Sequence, residues 1–339
     1  MGFVKSVYNS IEMMSVKELL KNLIKIPSVS GEEMVVADYI VGLLNKNEFK
    51  IKKIPVDKKR FNIVASTGEP RVYLSAHMDT VSPFIKYSED EKFIYGRGAC
   101  DTKASIASML VAGIEAKKSG EDNFGLIFTV GEETNFDGIK ALIKSKLKIP
   151  YIVIGEPTSC QAVNSHYGLL NIKVTTLGKA AHTSDPTKGI NAIDLLIKAI
   201  KKVKQIPVHP ETPFSLVQIE GGYADNIVPD RASALFGLRP SPNDKNDYSQ
   251  IFNQVLDQKN VKVEVLMSVP PVSFSIPKEL EFLGEGQGVK YFTELSFCKN
   301  GLVLGPGDIK FAHGPDEKIR KTELEKAVKI YRKILREKR

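Results

Sequence analysis

Histidine and carboxylate side chains recur in five short segments of this 339-residue chain: Ala76-His77-Met78-Asp79, Gly96-Arg97-Gly98-Ala99-Cys100-Asp101, Gly131-Glu132-Glu133, Gly155-Glu156-Pro157 and Ala312-His313. Each stands beside Gly, Pro or another turn residue at the end of an apolar run that reads as a β-strand. That is where an α/β sheet presents its ligands. Imidazole nitrogen and carboxylate oxygen are donors for zinc-like ions. Five such segments in this order point to a hydrolase in which two metal ions act together.

Taken singly, the segments are ambiguous. His77 fits a metal ligand with Asp79 accepting its other ring N–H, which would fix the tautomer and raise ligand basicity. The same pattern also suits a capping Asp beside a surface His. Asp101 leaves a glycine-bent loop where a helix begins, so it fits either a carboxylate bridging two cations or an N-cap. Glu132 and Glu133 follow a strand and point different ways. One could bind metal while the other serves as a general base, near the reacting water but off the metal; a solvated Glu pair reads the same. Glu156 repeats the strand-then-carboxylate arrangement. Of the five histidines (77, 166, 182, 209 and 313), His77 and His313 lie in such loops.

The elements that must position these groups alternate through the first half. Periodicity predicts helices over 16–26, 34–44, 105–118 and 138–145, with strands over 63–66, 72–76, 126–130 and 151–154. The stretch 27–33 reads as a loop and capping pattern into the second helix. Such alternation implies an α/β fold, a mostly parallel sheet with helices on both faces. Beyond His166 the order changes to strand 170–177, helix 191–205, strands 215–220 and 231–238, helix 247–258 and strand 261–268. That βαββαβ order is a ferredoxin-like α+β unit, and Ser268-Val269-Pro270-Pro271 reads as the linker back. The expected division is 1–165 and 273–339 for a catalytic domain, with 166–272 inserted as a lid.

Composition bounds the rest. The hydrophobic share of 42% supplies a core, and no apolar run is long enough to span a membrane. No secretory leader is visible; Met1-Gly2 with Ser6 fits a loose acylation pattern, and the Met13-Met14 pair offers a second start. Three isolated cysteines fit a reducing, cytoplasmic setting. The net charge of +8 invites a nucleic-acid reading, but no nucleic-acid motif accompanies the dispersed lysines, so a solvated surface or an acidic partner or substrate fits better.

As an ordered set, AHMDTV, GRGACDTK, GEE, GEPTS, AHTSDPTKGINAI and GPGD…AHGPDE resemble the dinuclear-zinc metallohydrolase family of glutamate carboxypeptidase, acetylornithine deacetylase and succinyl-diaminopimelate desuccinylase. The resemblance spans nearly the whole chain. It implies one ion held by His77, Asp101 and Glu156 and another by Asp101, Glu133 and His313, with Asp101 bridging. Glu132 would be the general base and Asp79 the residue orienting His77. Two His ligands among carboxylates favour zinc or cobalt. His182 would stabilise the oxyanion, while Asn226 and Arg239, with the backbone at Gly305 and Gly307, would hold a substrate carboxylate. One departure is Thr293-Glu294, where the family usually has a Thr/Ser-Asp pair.

The compact length and the Gly-Pro-Gly-Asp…His ending resemble the enzymes that free lysine or ornithine from the C-terminal glutamate of the acidic amino-group carrier protein LysW, in lysine and arginine biosynthesis. Alternatives are a small-molecule deacylase acting on acetylornithine or succinyl-diaminopimelate, a dipeptidase or aminoacylase, and a non-catalytic metal-binding relative. The family also implies a possible homodimer through the lid. Neither nucleic acid nor membrane is expected as a partner.

Overall fold

The computed structural model describes residues 14–337; the pattern at Met1, Gly2 and Ser6, and Met13 of the paired start, lie outside them. In chain order the elements are α1 (Val16–Lys25), α2 (Met34–Lys46), β1 (Lys50–Pro55), β2 (Phe61–Ser66), β3 (Val72–His77), β4 (Ser88–Glu89), β5 (Phe93–Tyr95), α3 (Lys103–Lys118), β6 (Phe124–Thr129), α4 (Asp137–Lys144), β7 (Ile152–Ile154) and β8 (Val163–His166). There follow β9 (Leu169–Leu177), α5 (Ala192–Val203), β10 (Phe214–Gly221), β11 (Arg231–Leu238), α6 (Tyr248–Val255), β12 (Val261–Val269) and β13 (Val272–Ser273). Last come β14 (Gln287–Val289), β15 (Gly301–Val303), β16 (Lys318–Arg320) and α7 (Lys321–Glu337).

Two compact units result. The first takes the described parts of Met1–Asn164 and Thr293–Arg339, with Phe274–Gln287. Its sheet runs β1-β2-β6-β3-β7-β15-β8. β3 pairs parallel with β6 and β7, and β7 with β15, whereas β1–β2, β2–β6 and β15–β8 are antiparallel. The expected α/β fold is therefore present, parallel at its centre and antiparallel at its margins. Alternation along the strands fills both faces. Leu74, Ala76, Leu126 and Phe128 join the core built with α1, α2, α3 and α7. Ile127 is buried on the other side of β6, where α4 buries Ile139 and Leu142. Register matters most for the site: His77 pairs with Thr129, so β3 and β6 end together, while β7 and β15 end together opposite Ser75, two residues earlier.

Local chemistry explains the helix starts, with one correction. The α1 capping box is complete: the Ser15 hydroxyl accepts the Glu18 N–H and the Glu18 carboxylate accepts the Ser15 N–H, both at 3.3 Å. The capping pattern expected at α2 does not form. Glu33 occupies the N-cap without a capping bond, because its buried carboxylate accepts the Gly131 N–H at 3.1 Å and pairs with Arg60 at 3.4 Å.

Several strands escaped the sequence, β8, β13 and β14 among them. β1 carries Lys50, Lys52 and Lys53 outward and buries only Ile54, so it reads as a basic cluster rather than as an edge strand. The small sheet β16-β5-β4 consists of strands of two or three residues, too short to show a period.

The second unit is Ser165–Ser273 with Gly288–Phe292. Its antiparallel sheet runs β10-β11-β9-β12, and the order β9-α5-β10-β11-α6-β12 is the expected ferredoxin-like one. Ile172, Val174, Leu196, Val203, Ala234, Phe236 and Phe252 form its core. Ser268 and Val269 complete β12, so the expected linker shortens to Pro270-Pro271.

Candidate metal centre

β3 ends at His77, and the turn after it fixes the imidazole ring. Nδ1 lies 2.9 Å from the Asp79 carbonyl oxygen and 3.5 Å from its Oδ1. With Nδ1–H donated to Asp79, Nε2 faces Asp101 Oδ1, 3.1 Å away, with Glu156 Oε1 at 3.9 Å, and is the ring nitrogen that would give its lone pair to a cation on losing its proton. Asp79 also reaches the next strand end. Its oxygens accept the backbone N–H groups of Glu132 at 3.0 Å and Glu133 at 3.1 Å, and Ser30 donates its hydroxyl at 2.7 Å.

Two donor sets emerge. His77, Asp101 and Glu156 bring their ligand atoms within 4.8 Å of one another, and so do Asp101, Glu133 and His313. Asp101 belongs to both, with Oδ1 towards His77 and Oδ2 3.2 Å from His313 Nε2. His313 Nε2 is also 2.9 Å from Glu133 Oε1. The residue is in the left-handed region, at φ 62°, which turns its ring towards the carboxylates. Asp101 is not a helix cap: Thr102 occupies that place, and its hydroxyl donates to the His77 carbonyl at 2.9 Å.

Charge crowding shows what the sets can hold. Burial pushes the Glu156 carboxyl well above its ordinary range, and the neighbouring Asp101 adds to it. Glu132 is only partly buried as a residue, but its carboxyl is desolvated among like charges and is raised in the same way. His313 is driven up to about 10 by its bonds to Asp101 and Glu133. Burial alone would lower His77, but Asp101 and Asp79 outweigh it and raise it well above the usual value. Glu156 Oε1 is buried with no hydrogen-bond partner. Three carboxylates, one of them with an orphaned oxygen, and two imidazoles form a donor set short of positive charge, and two divalent cations fit it.

Several residues around these sets were not assigned from the sequence. Glu294 is fully buried; its Oε2 accepts the Thr129 hydroxyl at 3.1 Å, Oε1 has no partner, and burial brings the carboxyl to about 7. It stands in the segment where the family's Asp was missing, which was the one available signal. Ser30 and Glu317 gave none, because each acts on backbone or side chains brought close by folding.

In the second unit, His182 bridges Ile227 by backbone, its Nδ1 lies 2.8 Å from the Ser184 hydroxyl, and the Asn226 carbonyl accepts the Thr183 N–H. Arg239 follows β11, its guanidinium 5.5 Å from the Phe292 ring centroid and its Nη1 buried without a hydrogen-bond partner. The expectation for Gly305 and Gly307 is corrected. Gly305 donates its N–H to the Thr158 hydroxyl at 3.1 Å and Gly307 to Glu323 at 2.8 Å, so neither amide is free for a substrate. Gly305 is required by packing instead, since a Cβ there would stand 2.5 Å from the Glu156 carbonyl oxygen.

Known proteins share the family and the fold. Residues 73–337 match the model for peptidase family M20/M25/M40. A probable carboxypeptidase of Talaromyces marneffei is 32% identical over 94% of this chain and 84% of its own length. Among solved structures, aminopeptidase PepT from Bacillus cereus superposes with a TM-score of 0.81 at 22% identity, covering 95% of this chain and 98% of that one. The M20 family metallo-carboxypeptidase Sso-CP2 from Sulfolobus solfataricus does so with 0.76 at 18%, covering 96% and 99%.

Proposed function

The chain belongs to peptidase family M20/M25/M40 and is a hydrolase of amide bonds, and from that premise we propose that it is a two-cation carboxypeptidase releasing an amino acid with a free α-carboxylate. The observation that carries this is the pair of donor sets sharing Asp101, with Glu132 next to Glu133. His77, Asp101 and Glu156 would hold one ion, and Asp101, Glu133 and His313 the other, zinc or cobalt by ligand type. Bound there, two divalent cations would supply Lewis acidity for the scissile carbonyl and the attacking water. Glu132 takes the proton from that water and passes it to the leaving nitrogen. Asp79 grips the N–H groups of both Glu132 and Glu133, so base and ligand keep their spacing while the proton moves. His182 is assigned to the oxyanion and Asn226 and Arg239 to the substrate carboxylate. The buried, unpartnered Nη1 of Arg239 supports the last, because a guanidinium is suited to an anion it can fork.

Within this class, the substrate we propose is lysine or ornithine linked through its α-amino group to the C-terminal glutamate of the acidic carrier LysW, in cytoplasmic amino-acid biosynthesis. A net charge of +8 supports an acidic protein as the partner. The exposed Val217 and Ile219 of edge strand β10 support pairing of two copies through the second unit, which light scattering would read as a dimer mass. The deciding experiment is amino-acid release by metal-loaded enzyme offered LysW-linked lysine and ornithine beside acetylornithine and succinyl-diaminopimelate. Release from the carrier alone is expected. Release from the small amides alone would make the protein a deacylase.

A further inference from the structure

Glu317 gives no atom to either donor set, yet it is bound to the residue they share. It is 1% exposed, and its Oε1 accepts the backbone N–H groups of both Cys100 and Asp101 at 3.0 Å. Its Oε2 takes the Arg97 Nη1–H at 2.7 Å, and Arg97 is itself 2% exposed. The same guanidinium donates to the Gly314 carbonyl at 3.3 Å and, through Nε, to the Pro83 carbonyl at 3.1 Å. The Glu317 carbonyl accepts the Gly96 N–H at 3.1 Å, where β16 runs antiparallel to β5. Three loops thus meet on one buried ion pair: the one after His77, the one carrying Asp101 and the one carrying His313.

We propose that Glu317, neutralised by Arg97, is a positioning residue that sets Asp101 for both ions at once. This rests on the two-cation reading of the site. Asp101 offers one oxygen to each set, so a shift of its backbone displaces a donor atom in both. The signature is coupled loss: a lesion at Glu317 weakens both ions together, whereas one at His313 weakens one. A buried carboxylate accepting two backbone N–H groups and a guanidinium holds such a turn more firmly than a neutral acceptor would.

Metal-free wild type, Glu317→Gln and His313→Ala are titrated with Zn²⁺ by calorimetry and with Co²⁺ by visible absorption, and each is melted without metal. Glu317→Gln keeps the volume and one acceptor oxygen but sets an amide N–H₂ against Arg97. The expected result is a lowered metal-free melting temperature, because Arg97 loses its buried counter-charge, with a changed Co²⁺ band and both ions bound on the order of 10–100-fold more weakly. His313→Ala is expected to lose one ion preferentially. Leu44→Ala, in the α2 core, serves as a control for lowered stability. Should it weaken both ions by the same factor, the effect is general loosening and the proposal is overturned. Unchanged affinities and spectrum in Glu317→Gln also overturn it. Were Glu317→Gln not to fold, Arg97→Lys, which keeps the charge and gives up the fork, takes the same test with the same coupled loss expected. Wild type that binds neither ion would instead sink the two-cation reading itself.

Discussion

A side chain that trades protons must stay in place while its charge changes, and Glu132 is held from behind by Asp79 rather than through its own carboxylate. Glu132→Gln should therefore keep the fold and both ions while turnover drops on the order of 10²–10⁴-fold. Metal content with steady-state rates is the check, and near-normal turnover would remove the base assignment. Arg239→Ala should raise KM for substrates bearing a free α-carboxylate and leave carboxylate-free amides little changed; an equal loss on both would make the arginine structural. The donors and the base were legible because His77, Glu132, Glu133 and Glu156 sit in short local patterns at or just past strand ends. Asp101 stands instead in a glycine-bent loop before α3 and His313 after a 3-10 turn, Ile309–Phe311, where their motifs rather than strands marked them. Ser30 and Glu317 were not, because their partners lie 49 and 216 residues away in the chain. Nothing near either residue in sequence announces such a bond.

Elements were readable wherever apolar residues recur at the element's period, as in β9, α5 and β11 and even in the largely exposed β10, and unreadable where lysines take those places, as in β1. The loops of the second unit carry their own test. Burial alone would raise Asp244, but the hydroxyls of Thr212 and Tyr248, 2.6 and 2.7 Å away, and the Asn246 N–H groups outweigh it and hold the carboxyl below its usual value. A lowered folded pKa contributes stability above the unfolded value, near 3.9, and loses it as pH falls through the folded one. Asp244→Asn should then cost about 1–3 kcal/mol near neutrality, since it leaves buried hydroxyls without their acceptor. Melting followed against pH should show the mutant and wild-type curves converging below about pH 4. A constant gap down to the acid limit would mean that the residue acts through packing.

At the scale of the molecule, charge and metal are the levers. Cleavage of an acidic carrier conjugate should slow through kcat/KM as salt rises, with kcat little affected, because screening acts on encounter. A flat response would remove electrostatic steering. Zinc or cobalt at about 100 times its dissociation constant should stabilise the protein by about 2.7 kcal/mol for each site filled, read as a rise in melting temperature over the metal-free form. No rise would argue that the donor sets do not take ions.

The inserted second unit also has a consequence in time. His77, Asp101, Glu133 and Glu156 precede it in the chain, while His313 and Glu317 follow it, just ahead of α7. Synthesis runs from the N-terminus, and early domains fold as they emerge. A ribosome therefore delivers most of the carboxylates long before the histidine that completes the second set and the glutamate that braces the shared one. On the two-cation reading proposed above, a half-made or prematurely ended chain is a peptidase without its chemistry. Competence arrives only once the stretch beyond the second unit has been made.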